Sequence, residues 1–187
     1  MVREAHEAAA CLLRGQIILY PTDTIWGLGC DATDQDAVER VYRLKERSDA
    51  KSMLVLISGL EMLGRFVRQV PPEAIEIMKD ASRPTTIIYH VATGLAPNLL
   101  APDRSVGIRI TSDPFCLKLI EITGIPIVST SANISGQEAP RIFREIDPLV
   151  RQRADHVVNW RQEETTLAMP SSILRVDLDG RVTVLRN

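Results

Sequence analysis

The pattern that most restricts this chain is an alternation of helix-length amphipathic segments with short apolar runs, sustained from one end to the other. Residues 2–14 put Ala5, Ala8, Ala9, Leu12 and Leu13 on one helical face, and Gly15 is a natural stop. The run 17–20 has strand length, and Pro21 ends or bends it because proline cannot donate to a ladder. Thr33 with Asp36 three residues later reads as a capping box for a helix carrying Ala37, Val38, Val41 and Leu44. A buried strand follows at 53–57, then helices at 59–67 and 72–80, split by Pro71-Pro72. Strands at 85–89 and 106–110 flank a loop rich in Pro, Gly and Asn. Asp113-Pro114 opens a helix that Gly124 closes, and 125–130 is again a strand. A short helix near 141–146, a strand near 156–159 and a hairpin of 172–177 with 181–185, turned by Asp179-Gly180, complete the reading. Such alternation predicts one three-layer α/β domain over residues 1–187, built around a mostly buried sheet. Spacing alone does not give the strand order.

Composition narrows the function classes. Aromatics are 4% of a chain that is 45% hydrophobic, so the core is mostly aliphatic. The net charge of −2 lacks the basic excess usual in a protein that lives on phosphate backbones. The three cysteines, Cys11, Cys30 and Cys116, are scattered, with no C-x-x-C, which argues against a disulfide framework or a zinc site and fits the cytoplasm. No apolar run has the length of a membrane span, and the polar N-terminal residues do not read as a secretory signal.

Polar clusters stand at or just after the apolar strands, where open α/β sheets bind ligands. The first is Pro21-Thr22-Asp23-Thr24, followed by Trp26-Gly27-Leu28-Gly29. The last part, continued to Ala32, matches G-x-G-x-x-A, which leaves a dinucleotide-dependent oxidoreductase as a disfavoured alternative. It is disfavoured because six residues separate these glycines from the strand and no acidic residue closes the next one. The second cluster is Arg40, Arg43, Lys45, Arg47 and Lys51, which from the charge run alone reads as a solvated helix face, although in an extended tail after the helix Lys45 and Arg47 could converge on one anion. The third is Ser105 with Arg109, the latter set among Val and Ile where burial demands a counter-charge from the protein or a ligand. Strand alternation puts Gly107 and Arg109 on one face and Val106, Ile108 and Ile110 on the other. The fourth, residues 129–136, is dense in hydroxyl and amide groups able to cradle phosphate or ribose. There is no G-x-x-x-x-G-K-[ST], no G-x-S-x-G, and no metal spacing among His6, His90 and His156.

Taken in order, these clusters resemble the signature of the YrdC/Sua5 family. Tyr20-Pro21-Thr22-Asp23-Thr24-Ile25-Trp26-Gly27-Leu28-Gly29 is similar to its opening, and Lys45-Glu46-Arg47 to its K-x-R element. Val106-Gly107-Ile108-Arg109 is similar to a later strand, and Ser129-Thr130-Ser131-Ala132-Asn133 carries its S-x-N element. Pro170-Ser171-Ser172-Ile173 and Val184-Leu185-Arg186 resemble its closing strands. The likeness runs from about Gly15 to Arg186. Two stretches depart from the pattern: Ala81-Ser82-Arg83-Pro84 stands where many members read Trp-Pro-Gly-Pro, and no His follows the K-x-R element in 53–57.

The resemblance implies a twisted, mostly mixed β-sheet flanked by helices, a large concave cleft, and no C-terminal extension domain. It implies synthesis of L-threonylcarbamoyladenylate and pyrophosphate from L-threonine, bicarbonate and ATP, with Mg2+ carried by the ATP phosphates. Downstream transferase proteins then use the product to modify the tRNA adenosine next to the anticodon, and a transient contact of tRNA with this chain is left open. Lys45 and Arg47 are the expected catalytic pair on the phosphates, with Lys51, Ser105, Ser131, Asn133 and Arg186 also at ATP. Thr22, Thr24, Arg109, Ser129 and Ser171 are expected at threonine. A family paralogue that binds nucleotide or RNA without synthesis is the alternative.

Overall fold

The computed structural model describes residues 1–46 and 53–187; Arg47 and Lys51, both expected at phosphate, lie outside the described residues. Helices α1 (Val2–Leu12), α2 (Gln35–Leu44), α3 (Leu60–Phe66), α4 (Pro72–Asp80), α5 (Pro114–Thr123) and α6 (Pro148–Arg153) alternate with strands, as the periodicity predicts. The strands are β1 (Ile18–Tyr20), β2 (Gly27–Gly29), β3 (Leu54–Ile57), β4 (Thr85–Tyr89), β5 (Val106–Ile110), β6 (Ile127–Ser131), β7 (His156–Val157), β8 (Ser172–Val176) and β9 (Val182–Arg186). Among the described residues they form one open sheet in the order β7-β1-β2-β6-β3-β5-β4-β8-β9. The sheet is mixed: β1/β7, β3/β5 and β4/β8 run parallel and the remaining neighbours antiparallel.

Small residues set how closely the helices approach. The face of α1 that carries Ala5, Ala8 and Ala9 is fully buried, and α1 packs on α5, which buries Phe115, Cys116, Leu119 and Ile120. Asp113 caps α5 by accepting from the Phe115 and Cys116 amides, and Gly124 ends it in the left-handed region at φ 69°. Two local expectations are corrected. The cap of α2 is Asp34 rather than Thr33: Asp34 accepts from the Asp36 and Ala37 amides, while the Thr33 hydroxyl turns back to Asp31 at 2.7 Å. The helix expected near 141–146 is one 3-10 turn, Phe143–Glu145, and α6 starts later, at a second Asp-Pro capping pair, Asp147-Pro148.

Gly27-Leu28-Gly29 forms strand β2 between β1 and β6 rather than a phosphate loop. Gly29 serves close packing. A Cβ there would sit 2.6 Å from both the Tyr20 ring and the Val128 carbonyl oxygen. The dinucleotide alternative loses its basis with that observation.

Candidate active site

One face of the sheet's middle opens into a cavity of about 260 Å³. Its floor follows the two-residue period of the strands: Gly107 and Arg109 from β5, Thr86 and Ile88 from β4, Ser129 and Ser131 from β6. Leu54, Ile173 and Arg186 extend it, and Thr24 to Gly27 cross one wall. Gly107 leaves room here, because a Cβ would come within 3.1 Å of the Thr86 methyl. The lining therefore presents hydroxyls from Thr24, Thr86, Ser129, Thr130, Ser131 and Ser171, the guanidiniums of Arg109 and Arg186, and no carboxylate among the described residues. That donor set suits anions.

Arg109 is 2% exposed, so its charge must be answered within the fold. Nη1 donates to Thr24 Oγ1 at 3.0 Å, and Nη2 lies 3.0 Å from Asp23 Oδ1. The Asp23 contact is an ion pair without hydrogen-bond alignment, and Arg109 Nε is buried with no acceptor. Thr24 is held in turn: its hydroxyl is 2.9 Å from Thr22 Oγ1, which donates to the Ile25 carbonyl and accepts from the Thr24 amide. Across the cavity, Ser171 Oγ pairs with Thr86 Oγ1 at 2.9 Å, and Arg186 Nε donates to the Ser171 carbonyl at 3.0 Å. Partial burial and the positive charge of Arg109 hold the Arg186 guanidinium below its ordinary pKa. Two like charges facing one space again favour an anionic ligand.

Of the residues singled out from the sequence, Thr24, Arg109, Ser129, Ser131, Ser171 and Arg186 line this cavity. Thr22 stands behind it, fully buried, and supports Thr24. Three others do not reach the lining. Ser105 is buried and donates to Asp103 Oδ1 at 2.6 Å. Asn133 borders a neighbouring cavity with Arg144 and Arg151, and its amide nitrogen donates to the Ile134 and Gln137 carbonyls. Lys45, expected to be exposed to the cleft, is 1% exposed. Its ammonium donates to the Ser131 carbonyl and, at 2.7 Å, to the Asn133 carbonyl, because the end of α2 runs directly against the polar tract after β6. Two contributors went unassigned in the sequence reading. Thr86 carried a usable signal, since alternation along β4 puts it on the face of Ile88. Asp23 stood in the first polar cluster, but nothing local pairs it with Arg109, 86 positions away in the chain.

The fold and the cavity define an α/β protein with a cleft on an open mixed sheet whose donor set suits anions. The family model described as telomere recombination, which covers Sua5, YciO and YrdC, matches residues 10–187, and the chain belongs to that family. It is 35% identical over 178 residues to a threonylcarbamoyl-AMP synthase of Stenotrophomonas maltophilia, covering 94% of both chains. It is 30% identical to a synthase of the same name from Hahella chejuensis, covering 89% of this chain and 90% of that one. Among solved structures it is similar to P. abyssi Sua5 in complex with L-threonine, with a TM-score of 0.89 and 25% identity. The whole of this chain is covered there, and it spans 54% of the P. abyssi chain. E. coli YciO has the same fold, with a TM-score of 0.85, 24% identity, and coverage of 100% of this chain and 90% of that one.

Proposed function

We propose that this chain is a threonylcarbamoyl-AMP synthase that joins L-threonine, bicarbonate and ATP, releasing pyrophosphate. The observation that carries the reading is Arg109: a buried guanidinium on the cleft floor whose Nε has no acceptor, in a lining without carboxylates among the described residues. The relatives' names support it. Arg109 holds the threonine carboxylate, with Thr24, Ser129 and Ser171 around the amino acid. Ser131 and Arg186 face the nucleotide. Arg47 and Lys51 belong, on this reading, to the phosphates.

The chemistry needs positioning and charge neutralisation more than a side-chain nucleophile. The threonine amine attacks the bicarbonate carbon and water leaves, giving a carbamate; a carbamate oxygen then attacks the α-phosphate as pyrophosphate leaves. Holding both anions in one cleft, oriented by fixed donors, supplies much of the rate. Magnesium enters with ATP. The cavity lining offers it hydroxyl oxygens, and the one His/Glu group close enough to hold a metal among the described residues, Glu4, Glu7 and His156, contributes nothing to the lining. That fits an ion carried by the substrate's own phosphates. Lys45 acts by fixing the Ser131–Asn133 backbone beside the nucleotide. Residues 1–187 then form one YrdC-like domain acting in the cytoplasm, whose product passes to tRNA-modifying transferase proteins.

The deciding experiment is pyrophosphate release from ATP by the purified chain. It is expected only when threonine and bicarbonate are both present. Release that is independent of threonine would overturn the reading.

A further inference from the structure

Asp23 lies outside the cleft. It borders the cavities behind the Pro21–Thr24 segment and contributes nothing to the lining of the main one. Its side chain is 10% exposed and touches two elements at once. Oδ1 is 3.0 Å from Arg109 Nη2, while Oδ2 accepts from Thr111 Oγ1 and the Ser112 amide, both at 3.4 Å. The segment leaving β1 is thereby clamped to the segment leaving β5, the strand that carries Arg109. Thr24, in the same segment as Asp23, takes Arg109 Nη1 at 3.0 Å. The guanidinium is thus held by a charge beside Nη2 and a hydroxyl on Nη1, while Nε is buried without an acceptor.

We propose that Asp23 is a positioning residue for the synthase reaction: from behind the cleft wall it supplies the counter-charge that keeps Arg109 buried and oriented for the threonine carboxylate. The inference rests on the reading of Arg109 given above. A buried cation without a ligand needs such a partner, and an ion pair lacking hydrogen-bond alignment leaves the guanidinium's donors available to the substrate. Removing the charge has two opposing effects. It leaves the site more positive, which strengthens attraction for any carboxylate, and it frees Arg109 to leave its position. The second effect governs, because recognition by a guanidinium depends on its planar geometry.

The test uses Asp23→Asn, whose amide oxygen can still accept from Thr111 and Ser112. Its first readout is a crystal structure. Arg109 is expected to leave Thr24 Oγ1; an unmoved guanidinium overturns the proposal whatever the protein's activity. The second readout is kinetic: KM for threonine rises about tenfold, the scale of losing a supporting partner, while KM for ATP stays within about twofold. An unchanged or lowered KM for threonine, or equal rises for both substrates, overturns it. A cycle of Asp23→Asn, Arg109→Lys and the double variant completes the set. Effects on threonine KM that fail to add are expected if Asp23 acts through Arg109, and additive effects overturn the proposal. Should the wild-type chain release no pyrophosphate in response to threonine, the synthase reading fails separately, and the crystal structure still decides whether Asp23 anchors Arg109.

Discussion

At the scale of single residues, burial distinguishes groups that look alike in the sequence. Lys45 and Arg109 are both cations expected at a substrate, yet one is bonded to backbone carbonyls and the other faces the cleft. Lys45→Ala removes a buried ammonium and leaves the Ser131 and Asn133 carbonyls short of a donor, so it should cost about 2–3 kcal/mol of stability. Urea unfolding checks this, and a loss of activity at full stability would show instead that Lys45 meets the phosphates directly. Arg109→Lys keeps the charge and loses the planar fork. It should weaken threonine use by about 1.5–3 kcal/mol with ATP use little altered, as separate titrations of the two substrates would show. The face of Arg109 was legible from alternation along its strand. Its ion pair with Asp23 was not, because nothing local links positions so far apart in the chain.

At the scale of elements, the strands written as short β-branched or alternating runs and the helix opened by Asp113-Pro114 were legible to within a residue or two, β4, β5 and α5 among them. Elements that depend on distant partners were not. A run of Gly-Leu-Gly has little strand propensity, and β2 forms because β1 and β6 on either side satisfy its backbone and need glycine to approach. The start of α2 shows a finer limit: Thr33 and Asp34 are both good caps, and Asp31 draws the threonine away. Asp34→Ala should therefore cost about 1 kcal/mol, with Thr33→Ala costing less. Thermal melts of the two variants would reverse this order if Thr33 were the cap.

At the scale of the whole molecule, the core carries its own pH limit. Burial raises the Cys30 and Cys116 thiols above their ordinary value of 9.0, and the Tyr20 hydroxyl is pushed up for the same reason. These groups stay neutral in the folded chain while the unfolded chain ionises them, so their contribution is complete below about pH 9 and is lost as pH rises beyond it. Each thiol should add a slope of about 1.4 kcal/mol per pH unit above that point. Alkaline melts of Cys116→Ala against the wild type should show a shallower decline, and parallel curves would count against burial as the cause. By itself the sequence determined the alternation of elements, the aliphatic core, the Asp113-Pro114 start of α5 and the face of Arg109, since each rests on periodicity or on neighbours in the chain. Only the tertiary structure decided the strand order, the burial of Lys45, the retreat of Asn133 and Ser105 from the cleft and the hold of Asp23 on Arg109, because each depends on which distant segments the sheet brings together and how much water they exclude.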